Sequence, residues 1–210
     1  MQPKRVVLGI SGASGAAIGV RIAELLGAAP DVETHLVVSA AAERTLAHEI
    51  GDDALGKLES LVTRRHRVGD VGAAIASGSF VTAGMIIAPC SMRTASAIAA
   101  GIADNLLVRA ADVHLKERRR LVLVVRESPL HLGHLRAMAA VTEYGAIIAP
   151  AVPAFYLRPA SVADAVDQIA RRSIDLLFPR APALSRDWTG LEGGTGSYRD
   201  GFTSSKEGIR

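Results

Sequence analysis

One cysteine, Cys90, among 210 residues leaves no intrachain disulfide to form, the pattern of a reducing compartment. Aromatic residues are scarce, 4% of the chain with a single Trp, so Ala, Val, Leu and Ile must fill the core. Neither sign of charge dominates. The formal net charge is +3, and basic runs are confined to Arg64-Arg65-His66-Arg67 and Lys116-Glu117-Arg118-Arg119-Arg120. A nucleic-acid footprint needs a wider basic stripe with stacking aromatics, and the chain has neither. No apolar run approaches the ~20 residues of a membrane helix. The segment Arg5–Ile10 is too short for a secretion signal and lacks a cleavage pattern, so a cytoplasmic protein is expected. With 49% hydrophobic and 21% charged residues, the length suits one globular domain.

What is present is an alternation of short apolar runs with longer helical patterns, which predicts an α/β fold on a parallel sheet. Strands are expected at Arg5–Ile10, Glu33–Val38, Met85–Ala88, Leu121–Val125 and Ala146–Ala149. Most are apolar throughout, as strands covered on both faces are; Glu33–Val38 is more mixed and is expected nearer an edge. Helices are expected at Ala16–Leu26, Ala40–His48, Thr94–Ala100, Asn105–Leu115, His134–Glu143 and Val162–Leu177, the last carrying a helical apolar stripe. Gly51–Val68 is ambiguous, with room for a short strand near Leu61–Val68. The domain is expected to span 1–178. From 179 to 210, Pro, Gly, Ser and charges predict a partly disordered tail in which Trp188 is either an anchor or solvent-exposed.

Gly9-Ile10-Ser11-Gly12-Ala13-Ser14-Gly15 follows a strand and opens a helix. Small residues permit the bend, helix-start N–H groups can meet a phosphate, and Ser11 and Ser14 add hydroxyl donors. The spacing is not that of G-x-G-x-x-G, and Ser39 stands where a ribose-binding carboxylate would be expected, so a mononucleotide fits better than NAD. Cys90-Ser91-Met92-Arg93-Thr94 repeats the design after the third strand. Capping explains any one loop; several at strand ends favour a ligand site. Cys90 lacks a partner His and reads as buried and structural. His131 and His134 lack further ligands and read as capping or packing residues.

A second group is Arg109, Lys116, Arg126 and Glu127. Arg109 and Lys116 share a helix face, and Arg126-Glu127 ends a strand. Three cations converging with one carboxylate suit a phosphorylated substrate and a proton-transfer step.

These segments, in order, resemble the UbiX-type flavin prenyltransferase family from Arg5 to about Phe178. The resemblance rests on Gly9–Gly15, Ser77–Phe80, Pro89–Thr94, Arg109–Arg119, Arg126–Gly133 and Pro153–Pro159. It implies a three-layer Rossmann-like, flavodoxin-like doubly wound sheet in a homododecamer, with flavin mononucleotide (FMN) at subunit interfaces. It implies that Gly12, Ala13, Ser14, Ser39, Ser91, Met92, Arg93, Thr94 and Arg126 bind FMN. Tyr156 and Arg172, helped by Arg109 and Lys116, would bind the phosphate of dimethylallyl phosphate. Glu49, Glu127 and Lys116 are the implied catalytic groups, with no metal. The implied reaction joins the prenyl group to flavin N5 and closes it onto C6, and the prenylated FMN passes to a UbiD-type decarboxylase. Ala40 departs from the Lys of many relatives, and Ser128 from their Thr or Ala.

Two alternatives stand beside this. A flavin-dependent peptidyl-cysteine decarboxylase would carry a His where this chain has Glu49, and an Asn motif absent here. A non-catalytic flavin carrier subunit of a hydroxyarylic acid decarboxylase would differ only in lacking the reaction.

Overall fold

The computed structural model describes residues 3–179 and 181–186; Trp188 and most of the predicted tail lie outside them. The element order is β1 (Lys4–Ile10), α1 (Ala16–Gly27), β2 (Val32–Val38), α2 (Ala40–Glu49), α3 (Ala54–Ser60), β3 (Arg64–His66), β4 (Gly84–Cys90), α4 (Met92–Ala99), α5 (Leu106–Lys116), β5 (Arg120–Val125), α6 (Leu132–Glu143), β6 (Ile147–Ile148) and α7 (Val162–Leu177). Single 3₁₀ turns occupy Ala74–Ala76 and Phe155–Leu157.

The strands form one six-stranded sheet in the order β3-β2-β1-β4-β5-β6. Every pairing is parallel. The chain winds outward from β1 to β3, then crosses back to place β4 on the other side of β1. The switch point therefore lies between β1 and β4, where open α/β sheets bind ligands at the strands' carboxyl ends.

Alternating side chains divide the core into two layers. Val7, Val37, Met85, Ile87, Leu121 and Leu123 pack with α4, α5 and α6. Val6, Leu8, Leu36, Ile86, Val122 and Val124 pack with α1, α2, α3 and α7. All seven residues of β4 are buried, which accounts for its unbroken apolar run. Each such Leu or Ile, fully removed from water, stabilises the fold by about 1.5–3 kcal/mol.

The predicted strands and helices are present with shifted ends. The ambiguous segment resolves into α3 and the short strand β3. That strand takes the edge, so the mixed strand β2 is one place in from it. There Thr34 is buried and its backbone amide donates to Thr63 Oγ1 at 3.1 Å, while His35 Nδ1 lies 3.0 Å from His66 Nε2 across the β2–β3 pair. The strand predicted at Ala146–Ala149 shortens to two residues, pairing with β5 at the opposite edge.

Candidate active site

The glycine loop closes the carboxyl end of β1. Gly15 caps α1 with φ of 106°, a left-handed backbone that suits glycine. At Gly12 a Cβ would come within 2.5 Å of Ala41 Cβ, so the loop lies close against the start of α2. The helix-start amides, however, do not await a phosphate. Glu49, the last residue of α2, brings Oε2 to 2.9 Å from Gly15 N and 2.8 Å from Ala16 N, and both amides donate to it. A carboxylate at a helix N-terminus satisfies orphan donors and opposes the positive end of the dipole. Burial by itself would raise Glu49. Hydrogen bonds from Ser14 and the Ala16 and Gly15 amides, with the charge of Arg126 nearby, outweigh that and hold it below the usual carboxylate range. Glu49 is therefore ionised at neutral pH and organises the loop, whereas the sequence pointed only to an active-site carboxylate.

Ser11 also differs from expectation. It is buried; its hydroxyl donates to Pro89 O at 3.0 Å and accepts from Ser91 N at 2.7 Å. It is a brace between the loops after β1 and β4, across the switch point, and not a free donor.

The β4 loop then caps α4. Ser91 Oγ accepts from Thr94 N at 3.3 Å, while Met92 and Thr94 turn inward and are buried. Arg93 is exposed and ion-paired to Asp104 at 2.9 Å. Ser39 caps α2 by accepting from Ala42 N at 3.1 Å. Cys90 is fully buried, and burial pushes its thiol up to about 12, as expected of a structural cysteine. His131 caps α6 by accepting from Gly133 N at 3.0 Å, with the His134 ring against it.

From the end of β5, Arg126 Nε reaches the carbonyl of Ser14 at 3.3 Å. Glu127 beside it is exposed and accepts from Ser128 N at 3.1 Å. Gly12, Ser14, Ser39, Ser91, Arg126 and Glu127 thus share the carboxyl end of the sheet, with Ala13 buried among them.

Tyr156 and Arg172 lie farther along this side, in a cleft of about 1460 Å³ between α1, α7 and the Phe155–Leu157 turn. Ala17, in the first turn of α1, and Ile50, next to Glu49, also line it, so it adjoins the glycine loop. Asp167 joins its walls by accepting from Arg21 Nε of α1 at 2.8 Å and Arg171 Nε of α7 at 2.7 Å. Arg172 is exposed and has no ion pair among the described residues. Leu184 and Ser185 donate their amides to Asp175 of α7, which brings residues beyond α7 to the cleft rim.

Lys116 is not part of this convergence within one subunit, and Arg109 is engaged on its own helix. Helix α5 runs back to the amino end of the sheet, where its last residue Lys116 pairs with Glu117 near Gly78; Arg109, near the start of the helix, pairs with Asp112 at 2.8 Å. The six residues of β5 separate that end from Arg126, about 20 Å at ~3.3 Å per residue. Sequence spacing placed the two cations on one helix face but carried no information about which end of the sheet that face approaches.

The Flavoprotein family model matches residues 1–172. A curated relative, the flavin prenyltransferase UbiX of Thauera aromatica, is 53% identical over 188 residues, 90% of this chain and 95% of that protein. The chain belongs to the UbiX flavin prenyltransferase family. Among solved structures, AnUbiX in complex with FMN and dimethylallyl pyrophosphate superposes with a TM-score of 0.84 at 43% identity, covering 90% of this chain and 99% of that one. A dodecameric FMN-dependent UbiX-like decarboxylase from Escherichia coli O157:H7 also gives a TM-score of 0.84 at 43% identity, covering 89% and 100%.

The rim at the switch point gathers polar groups from the carboxyl ends of several strands. Backbone donors of Gly12–Ser14 and of the α4 start, the hydroxyls of Ser39 and Ser91, and the Arg126 cation suit a phosphate-bearing polar ligand. Glu49 already takes the Gly15 and Ala16 amides at the start of α1, while Ser39 and Ser91 each take one amide at the starts of α2 and α4.

Proposed function

We propose that the chain transfers a dimethylallyl group from dimethylallyl phosphate to reduced FMN, at N5 and then C6, and that the prenylated FMN serves a UbiD-type decarboxylase. The observation that carries this reading is the adjacency of two sites: a flavin-type rim at the β1–β4 switch point, and a cleft beside it bearing Tyr156 and Arg172.

Reduced FMN supplies the nucleophilic ring positions. The chain's work lies around them. Breaking the allylic C–O bond sends its electron pair to the phosphate, and the guanidinium of Arg172 with the Tyr156 hydroxyl stabilises the charge that develops there. An arginine suits this task because its planar fork matches phosphate oxygens. Apolar cleft residues such as Ala17, Val20 and Ile50 keep water from capturing the allylic cation. Ring closure requires loss of the C6 proton. Glu127 is the assigned acceptor, while Glu49 keeps the glycine loop in place and stays ionised.

Arg109 and Lys116 are paired to Asp112 and Glu117 of their own helix region, Lys116 at the far end of the subunit. In a homododecamer with interfacial sites, they serve a neighbour's prenyl phosphate. A cytoplasmic location follows from the same reading, and no helix among the described residues is long and apolar enough to cross a membrane.

The test is direct. Purified protein is incubated with reduced FMN and dimethylallyl phosphate, and the mass of the released flavin is measured. A flavin heavier by one dimethylallyl group is expected. Unmodified flavin from protein that binds FMN normally would leave the carrier reading, and oxidation of a peptide ending in Cys would point to the decarboxylase.

A further inference from the structure

Gln168 stands on α7 one turn before Arg172, and residues four apart share a helix face. Both border the large cleft. Both also border a smaller open pocket of about 90 Å³ that shares Ala154 with the cleft and is lined further by Ala149, Pro150, Val152 and Ser173. The carboxamide oxygen Oε1 of Gln168 is buried and accepts no hydrogen bond among the described residues. Buried polar atoms in native proteins are nearly always paired, so an orphan in a ligand cleft marks a donor that arrives with the working state.

The surroundings narrow the choice of donor. Ser173 already donates to Ile169 O at 2.7 Å. The amide of Ala149 donates to Leu123 O, the amide of Val152 donates to Pro150 O, and Pro150 has no N–H. Among the side chains lining the smaller pocket, Arg172 is the one with donors to spare, five N–H groups in a fixed fork. Its neighbours Arg171 and Arg21 are both held by Asp167.

We propose that Gln168 is a positioning residue of the prenyl-phosphate site: its Oε1 accepts one N–H of the Arg172 guanidinium when phosphate binds, and so turns the remaining donors of the fork towards the phosphate oxygens. The inference rests on the prenyl-transfer reading of the cleft. Gln168 touches neither flavin nor prenyl group; it acts through Arg172.

Steady-state prenyl transfer by the full-length protein, with dimethylallyl phosphate varied at saturating reduced FMN, separates the possibilities. Gln168→Met keeps the length of the side chain and removes the acceptor. It should raise KM for dimethylallyl phosphate about tenfold while kcat stays within about twofold and FMN affinity is unchanged. In the double variant Gln168→Met/Arg172→Ala the added loss should vanish, because the oxygen has no guanidinium left to hold. If Met disturbs the packing of α7, as a lowered melting temperature would reveal, Gln168→Ala provides the same comparison. An unchanged KM in a folded Gln168 variant, alongside a large loss in Arg172→Ala, overturns the inference and leaves the cleft reading standing. Losses that multiply in the double variant also overturn it. Arg172→Ala with normal use of prenyl phosphate overturns the cleft reading and the inference together.

Discussion

Removing the Glu49 carboxylate tests whether the glycine loop is held from outside its own segment. Glu49→Ala leaves the amides of Gly15 and Ala16 without the acceptor now at 2.9 and 2.8 Å. Losing a capping side chain costs about 0.5–2 kcal/mol, and losing a negative charge at a helix start about 0.3–1 kcal/mol. The sum is about 2 kcal/mol, and a domain of this size moves about 2–4 °C per kcal/mol, so Tm should fall by about 4–8 °C at pH 7. Glu49→Gln keeps an acceptor and loses the charge, and its drop should be about 1–3 °C on the same scale. The pH dependence has a definite sign. The folded carboxyl titrates below its ordinary value of 4.5. Its charge-dependent stabilisation is therefore present above that value and is lost as pH falls through the lower folded value. Circular dichroism melts at fixed protein concentration from pH 7 downward should show the gap between wild type and Glu49→Gln closing under acid. An unchanged Tm for Glu49→Ala at pH 7, or a gap that widens on acidification, would refute the capping argument.

Glu127→Gln should still bind FMN and attach the prenyl group at N5 but stall before closure onto C6. NMR of the flavin product reads this, and normal cyclisation would remove Glu127 from the role. His35 is pushed down to about 4, first by burial and then by the charge of His66. Its contribution is complete above its unfolded value near 6.5 and is lost as pH falls to about 4. The urea midpoint of wild type should therefore fall more between pH 7 and pH 4 than that of His35→Gln, and equal losses would count against it. With its thiol near 12, Cys90 should react with a thiol reagent at pH 8 only after unfolding; rapid stoichiometric labelling of the folded protein would contradict its burial.

Much of the architecture was legible because it is written in neighbouring residues. Leu8, Ile86 and Val122 lie in unbroken apolar runs that can only be strands sandwiched between helices, and Gly15 and Ser91 mark helix starts by local backbone chemistry. The ordered motifs from Gly9 to Pro159 were sufficient to point to the family. The site's internal contacts were not legible. Glu49 meets Gly15 across 34 positions, Ser11 meets Ser91 across 80, and Arg21 meets Asp167 across 146. The separation of Lys116 from Arg126 likewise follows from the direction in which α5 crosses the sheet. Periodicity and capping act over a few residues, so the sequence alone determined which segments become strands, helices and polar turns. Which side chains meet depends on how distant segments pack, and only the tertiary structure decided that Glu49 holds the glycine loop and that the cleft of Tyr156 and Arg172 opens beside it.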